Sequence, residues 1–90
     1  MVRKVSHTSG LFFIILNGKE KAFLRYSIEG NTMVFESTYT PEKYRGMGLA
    51  EKLTEKAVAY AKEKGLKIRP DCSYAVSFFQ KHSEYKELLS

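Results

Sequence analysis

Three segments in the first half of the chain have the hydrophobic pattern of β-strands. Residues 11–16 are continuously apolar and rich in aromatic and β-branched side chains, which is typical of a covered strand. Residues 21–29 and 32–39 alternate between apolar and polar positions, as half-buried strands do. Turn-forming Asn-Gly and Gly-Asn pairs separate the segments. The pattern therefore predicts three antiparallel strands in a meander.

The alternation also assigns side chains to the two faces of the third strand. It predicts that Met33, Phe35, Ser37 and Tyr39 share one face. Thr40-Pro41 ends the strand, because proline donates no ladder hydrogen bond.

The second half of the chain has the pattern of a helix, a short strand and a second helix. Apolar residues recur at helical spacing over residues 48–64, and Gly65 is placed to end that helix. Residues 66–69 form a short strand after this crossover, so we expect it to lie parallel to the third strand. A second helix follows over residues 74–81, with Asp71 or Ser73 as its N-cap, and Ser83 begins a last turn through Leu88. The fold class is mixed α/β, in the order β-β-β-α-β-α.

Length and composition indicate one domain over residues 1–90, because 90 residues cannot build two stable cores. We expect the polar start of this domain to be frayed. The net charge of +5, from 15 basic and 10 acidic residues, favours a polyanionic partner, which could be nucleic acid or a small molecule with several phosphates. One cysteine and two histidines give neither an internal disulfide nor a metal-ligand spacing. The longest apolar run has six residues, too short to span a membrane. We expect a soluble, cytoplasmic protein that is a monomer or a weak dimer.

The junction between the third strand and the first helix carries the clearest functional signal. Its sequence, YRGMGLA over residues 44–50, has two glycines where a strand passes into a helix. The first turn of a helix has N–H groups without intrahelical partners, and the helix dipole adds positive charge there. Gly46 and Gly48 let a phosphate approach these groups, and Arg45 adds a guanidinium. The junction is a candidate pyrophosphate site, although a glycine pair before a helix is often only a turn.

The same residues resemble the acyl-CoA loop of the GNAT acetyltransferase superfamily. Arg45, Gly48 and Ala50 match its R/Q-x-x-G-x-G/A pattern, in the expected place between a strand and a helix. The resemblance runs from about Ala22 to Leu88. It implies that acetyl-CoA is the cofactor and that its pyrophosphate is held by Arg45, Gly46, Met47, Gly48, Leu49 and Ala50. It also implies that Tyr39 and Thr40 contact the pantetheine and the thioester oxygen through their main chain.

A second segment resembles a small GNAT subfamily of this length, in which a P-x-C-x-Y sequence precedes a later His/Asn and Tyr. Here the matching residues are Pro70, Cys72, Tyr74, His82 and Tyr85. Cys72 follows the parallel strand and precedes a helix, a position that would make its thiol more nucleophilic, although a lone cysteine is often a buried hydrophobe. Cys72 and Tyr74 are the candidate catalytic residues, as proton donors or, for Cys72, as a transient acetyl carrier. His82 and Tyr85 could contact the adenine or 3′-phosphate, or simply pack.

One departure from the subfamily concerns a His-Thr pair near the end of the strand before the loop. The corresponding pair here is Ser37-Thr38. If the relatives' histidine accepts a proton, that role is vacant or belongs to Glu36 or Tyr39. The short Asn17-Gly18 turn also leaves no room for the helices that typical GNAT domains carry between their first two strands, which implies an open acceptor site.

The resemblance implies an acetyl-CoA-dependent N-acetyltransferase acting on an exposed lysine, a polyamine or another small amine. One alternative is a non-catalytic module that binds CoA or acetyl-CoA. The other, nucleic-acid binding, is disfavoured by interspersed acidic residues and by the absence of exposed aromatics identifiable from the sequence as a stacking platform.

Overall fold

The computed structural model describes residues 4–90, and the predicted fraying of the chain's start falls largely on residues 1–3, which lie outside it. In residues 4–90 the sheet has five strands in the order of the sequence: β1 (Ser6–Thr8), β2 (Leu11–Asn17), β3 (Glu20–Glu29), β4 (Thr32–Tyr39) and β5 (Lys67–Pro70). The first four pair antiparallel, and β5 pairs parallel to β4. The predicted fold class, meander and parallel strand are therefore confirmed.

Strand β1 is an addition to the predicted order. Ser6, His7 and Thr8 pair with Phe13, Phe12 and Leu11 at the edge of the sheet. A segment of three polar residues has no alternation that could identify it as a strand.

Within the described residues, two α-helices complete the fold: α1 (Leu49–Lys64) joins β4 to β5, and α2 (Ser73–Lys81) follows β5. Single 3₁₀ segments lie at Glu42–Tyr44 and Ser83–Leu88. Gly65 ends α1 in the left-handed conformation, at a φ of 69°, as predicted. Within residues 4–90, no helix has both the length and the apolar character needed to cross a bilayer.

One hydrophobic core lies between the sheet and the two helices. Side chains from β2, β3, β4 and β5 on one sheet face meet both helices there: Phe12, Ile14, Leu24, Phe35, Ile68, Leu53, Val58, Phe78 and Phe79 are among its members. Thr54 is also fully buried, and its hydroxyl donates to the Ala50 carbonyl at 2.7 Å. The helices therefore share one side of the sheet.

A β-bulge at Glu36 changes the faces of β4. Tyr26 pairs with Phe35 while Arg25 pairs with Ser37, so Glu36 is an extra residue. Beyond it Thr38 pairs with Leu24 on the core face. The predicted face was therefore wrong for Ser37 and Tyr39, which lie on the opposite side of the sheet from Phe35.

Candidate active site

Strands β4 and β5 separate at the end of β5. Their pairing stops at Phe35 and Pro70, while β4 continues to Tyr39. Both Asp71 and Cys72 donate their backbone N–H to the Phe35 carbonyl, at 3.0 and 3.3 Å. The backbone of residues 36–39 consequently has no β5 partner, and its polar groups on that side are available to a ligand.

A cleft of about 760 Å³ begins at this separation and runs along the start of α1 and one side of α2. This volume is in the usual range for small-molecule sites. Ten of the twelve predicted site residues line it: Tyr39, Thr40, Arg45, Gly46, Gly48, Leu49, Ala50, Cys72, Tyr74 and His82. The loop after β4 and the segment after β5 are thus brought to one site.

Met47 and Tyr85 are not among the residues that line the cleft. Met47 is 57% exposed. The Tyr85 ring stacks on Phe78 at 6.0 Å between centroids, and Lys62 Nζ lies over it at 5.4 Å. Tyr85 therefore packs the 3₁₀ segment against α2.

The N-terminus of α1 lacks a side-chain cap. Its N-cap is Gly48, at a φ of 77°, and the first intrahelical bond joins the Lys52 N–H to the Gly48 carbonyl. The N–H groups of Leu49, Ala50 and Glu51 consequently have no intrahelical acceptor. This end of the helix faces the cleft, and it combines unpaired donors with the positive end of the dipole.

Arg45 is held beside this helix end by its own loop. Its Nε donates to the Thr40 carbonyl at 3.0 Å. That bond leaves the two terminal nitrogens of the guanidinium, which are suited to a pair of phosphate oxygens. Hydrogen-bond donors suited to a phosphate therefore come from both the Arg45 side chain and the backbone at the start of α1.

Cys72 is the N-cap of α2, where Asp71 or Ser73 was predicted. Its Sγ accepts a hydrogen bond from the Ala75 N–H at 3.4 Å. Asp71 is instead engaged by Arg69, whose Nε and Nη2 donate to the two carboxylate oxygens at 3.1 and 3.2 Å. This fork and the Phe35 carbonyl fix the backbone that leads into Cys72.

Tyr74 lies in the first turn of α2, half-buried beside Phe78. Burial raises the pKa of its hydroxyl above the ordinary value, and the nearby carboxylates of Glu51 and Glu55 raise it further. Tyr74 is therefore a neutral hydrogen-bond donor at physiological pH.

His82 joins the two helices across the cleft wall. Its Nε2 lies 3.4 Å from Glu51 on α1, and its Nδ1 lies 3.4 Å from Glu84. Its ring also packs on Phe78 at 4.3 Å. His82 therefore places an imidazole nitrogen against Glu51, a carboxylate beside the candidate phosphate site.

Seven lining residues were not predicted: Thr38, Tyr44, Glu51, Ser73, Ser77, Phe78 and Lys81. Helical spacing could have identified part of this set. Ser77, Phe78 and Lys81 follow Tyr74 by three, four and seven positions, which places them on one side of α2. Glu51 required knowledge of how α1 meets α2.

The comparisons with known proteins agree with this architecture. The model of the GCN5-related N-acetyl-transferase family matches residues 12–88. The chain belongs to the GCN5-related N-acetyltransferase family. Protein NATD1 of Danio rerio is 36% identical over 82 residues, covering 87% of this chain and 74% of its own length. Protein NATD1 of Bos taurus is 32% identical over 82 residues, covering 87% and 73%.

A solution NMR structure from Staphylococcus aureus, described as a GCN5-like N-acetyltransferase, shares the fold of this GCN5-related N-acetyltransferase. The superposition has a TM-score of 0.76 and covers 97% of this chain and 87% of the other, at 23% identity. At that identity the likeness supports the fold alone. The family as a whole supports acyltransferase activity.

Proposed function

We propose that this chain binds acetyl-CoA in the cleft and transfers its acetyl group to an amine. The observation that carries the proposal is the presence of an uncapped helix N-terminus, Arg45 and the Cys72 thiol around one cleft. The donors at the start of α1 suit a pyrophosphate. The separated end of β4 offers main-chain groups to the pantetheine and thioester. The pyrophosphate, the pantetheine and the thioester thus each have a chemically matched part of the cleft.

Bound acetyl-CoA would supply the acetyl group as a thioester. In direct transfer to a neutral amine, a C–N bond forms as the C–S bond breaks, the nitrogen loses a proton and the departing sulfur must be stabilised. Tyr74 can donate a hydrogen bond from its hydroxyl. Since its pKa is raised from about 10 and an ordinary thiol has a pKa of about 8.5, full proton transfer from Tyr74 to a thiolate is unfavourable. Tyr74 therefore stabilises the sulfur while keeping its own proton.

Cys72 has two possible roles that share one position. Its thiol can provide the proton that the departing sulfur takes and recover the proton that the amine nitrogen loses, or its sulfur can carry the acetyl group before the amine receives it. In the second route an S–C bond to Cys72 forms as the cofactor's thioester bond breaks, and the proton of the Cys72 thiol passes to the departing sulfur. A C–N bond to the amine then forms as the bond to the cysteine sulfur breaks, and that sulfur takes the proton that the nitrogen loses.

A CoA-binding module without efficient catalysis is the second candidate. The observation that favours it is the position of Ser37, which pairs with Arg25 on the sheet face away from the helices and the core. Tyr39 shares that face, with its ring 5.6 Å from Phe23, and Glu36 is the exposed bulge residue. None of these three side chains has a described contact that prepares it as a base.

The test is a calorimetric titration with acetyl-CoA, with S-acetylpantetheine as the matched ligand that lacks the nucleotide and its phosphates. We expect tighter binding of acetyl-CoA and a difference that narrows at high salt. Equal affinity for the two ligands would contradict the phosphate assignment. Incubation with spermidine or a lysine peptide, followed by mass spectrometry of the acceptor, then separates the two candidates, since only a transferase acetylates the amine.

A further inference from the structure

The sheet face away from the helices carries a row of aromatic side chains. Direct pairing places Phe13, Phe23 and Tyr39 side by side across β2, β3 and β4. The rings of Phe23 and Tyr39 are 5.6 Å apart with a tilt of 34°. We call Phe13, Phe23 and Tyr39 the aromatic row. Within residues 4–90, both helices contribute to the core on the other face, so no helix covers this row.

Two cations flank the aromatic row on the same face. Arg25 pairs with Leu11 and Ser37 on one side of it, and Lys21 pairs with Ile15 on the other. Arg25 Cζ lies over the Phe23 ring, 5.6 Å from its centre, and Lys21 Nζ lies over the Phe13 ring at 5.5 Å, so both long side chains must move off the ring faces where bases stack. Both side chains are exposed. The eight face residues in these three rungs, Leu11, Phe13, Ile15, Lys21, Phe23, Arg25, Ser37 and Tyr39, include no carboxylate.

We propose that this face binds single-stranded nucleic acid, with bases stacked on the aromatic row and phosphates held by Lys21 and Arg25. Flat rings between cations suit a ligand that alternates aromatic bases with negative charges. Every base has a π-face, so such a site does not depend on sequence. The net charge of +5 adds a favourable long-range field.

A second copy of the chain fits the face less well. A symmetric contact through the aromatic row would bring two Lys21 and two Arg25 side chains together, with no carboxylate among the eight face residues to pair with them. Single-stranded nucleic acid supplies both the stacking partners and the counter-charges. This inference does not rest on acetyl transfer, although Tyr39 also lines the cleft.

The test is fluorescence anisotropy with a labelled single strand of about 12 nucleotides, within the usual site size for such surfaces, and with the same sequence as a duplex. We expect the single strand to bind more tightly. Each phosphate neutralised contributes roughly −0.7 to the salt slope for single strands, so two cations give about −1.4, or roughly a sevenfold loss of affinity between 50 and 200 mM salt.

Two double variants test the residues. Phe13→Leu with Phe23→Leu keeps apolar side chains and removes two π-faces, and we expect affinity for the single strand to fall about tenfold or more. Lys21→Gln with Arg25→Gln should weaken binding and remove most of the salt slope. Lys56→Gln with Lys86→Gln is the matched control, because these exposed lysines lie on α1 and the C-terminal 3₁₀ segment.

Binding of acetyl-CoA serves to check that each variant is folded, since none of the substituted positions lines the cleft. Acetyl-CoA affinity and circular dichroism should match the parent protein. The proposal is overturned if the single strand does not bind, if the face variants bind it as well as the lysine control does, or if the duplex binds equally. Stronger binding to an acidic peptide or to anionic phospholipid vesicles than to the single strand would also overturn it.

Discussion

The sulfur of Cys72 lies 3.4 Å from the backbone nitrogen of Ala75, so one side chain both caps α2 and lines the cleft. The cap bond to Ala75 gives Cys72 a structural role, and its position in the cleft makes a chemical role available. The two roles can be separated by changing one atom. Serine keeps a capping acceptor and removes the thiol.

We expect Cys72→Ser to remain as stable as the parent protein, because serine is a strong N-cap. Cys72→Ala should lose roughly 0.5–1 kcal/mol of unfolding free energy with the cap. Both variants should bind acetyl-CoA and lose most of their turnover of a spermidine or lysine-peptide acceptor. Chemical denaturation and acceptor mass spectrometry measure the two effects. Full turnover in Cys72→Ser would reduce Cys72 to a capping residue, and Ser73→Ala is the neighbouring control.

The two ends of α1 provide a matched test of the phosphate site. Gly48 and Gly65 have φ values of 77° and 69°, and a Cβ added at either would meet no atom within 4 Å. Alanine at each position should therefore cost a similar amount of stability, about 1 kcal/mol, from the left-handed backbone alone. Only Gly48→Ala should also weaken acetyl-CoA binding, because Gly48 lines the cleft. Equal affinities in the two variants would contradict the loop assignment.

Tyr74→Phe tests the hydroxyl at the transfer end. The ring remains beside Phe78, so we expect the stability at neutral pH to change little. Turnover should fall by about a hundredfold, with a smaller change in KM, if the hydroxyl stabilises the departing sulfur. Steady-state kinetics measures this split. A loss confined to KM would make Tyr74 a binding residue.

The raised pKa of Tyr74 also predicts a pH effect. Burial favours the neutral phenol, so the folded-state pKa lies above the unfolded value of about 10. The stability from this group is complete below that unfolded value and is lost as the pH rises through the folded pKa. Raising the pH above about 10 should therefore lower the unfolding free energy of the parent protein more than that of Tyr74→Phe. Chemical denaturation of both proteins across this pH range measures the difference. Parallel curves for the two proteins would contradict a raised pKa.

The sequence predicted the elements whose pattern is local. Alternation identified β3 and β4, helical spacing identified α1, and Gly65 gave its end. The bulge at Glu36 was missed because residues 36–38 are all polar, so the local pattern does not show which of them faces the core, and only the pairing with Arg25 and Tyr26 reveals the extra residue. That bulge moved Ser37 away from the core face.

The site was predictable where a motif is contiguous, and much less so where elements meet. The loop after β4 and the segment after β5 were both identified, and the cleft brings them together. The contact of His82 with Glu51 depends on the approach of α2 to α1, which no spacing encodes. The aromatic row likewise requires the register of three strands, since Phe13, Phe23 and Tyr39 are far apart in the chain.

Glu51→Gln tests whether the carboxylate that contacts His82 weakens anion binding at the start of α1. Glu51 is in the first turn of α1 and lines the cleft, so its charge favours the helix dipole but repels a phosphate. Removing it should cost about 0.5 kcal/mol of stability and raise acetyl-CoA affinity a few-fold, as expected from roughly 0.5–1 kcal/mol between exposed charges. Glu63→Gln is the control, because it changes the net charge equally from near the other end of α1, outside the cleft lining. Calorimetric titration of both variants with acetyl-CoA measures the change in affinity. An equal gain in the two variants would assign the effect to net charge. No gain in Glu51→Gln would show that the carboxylate does not act on the phosphates.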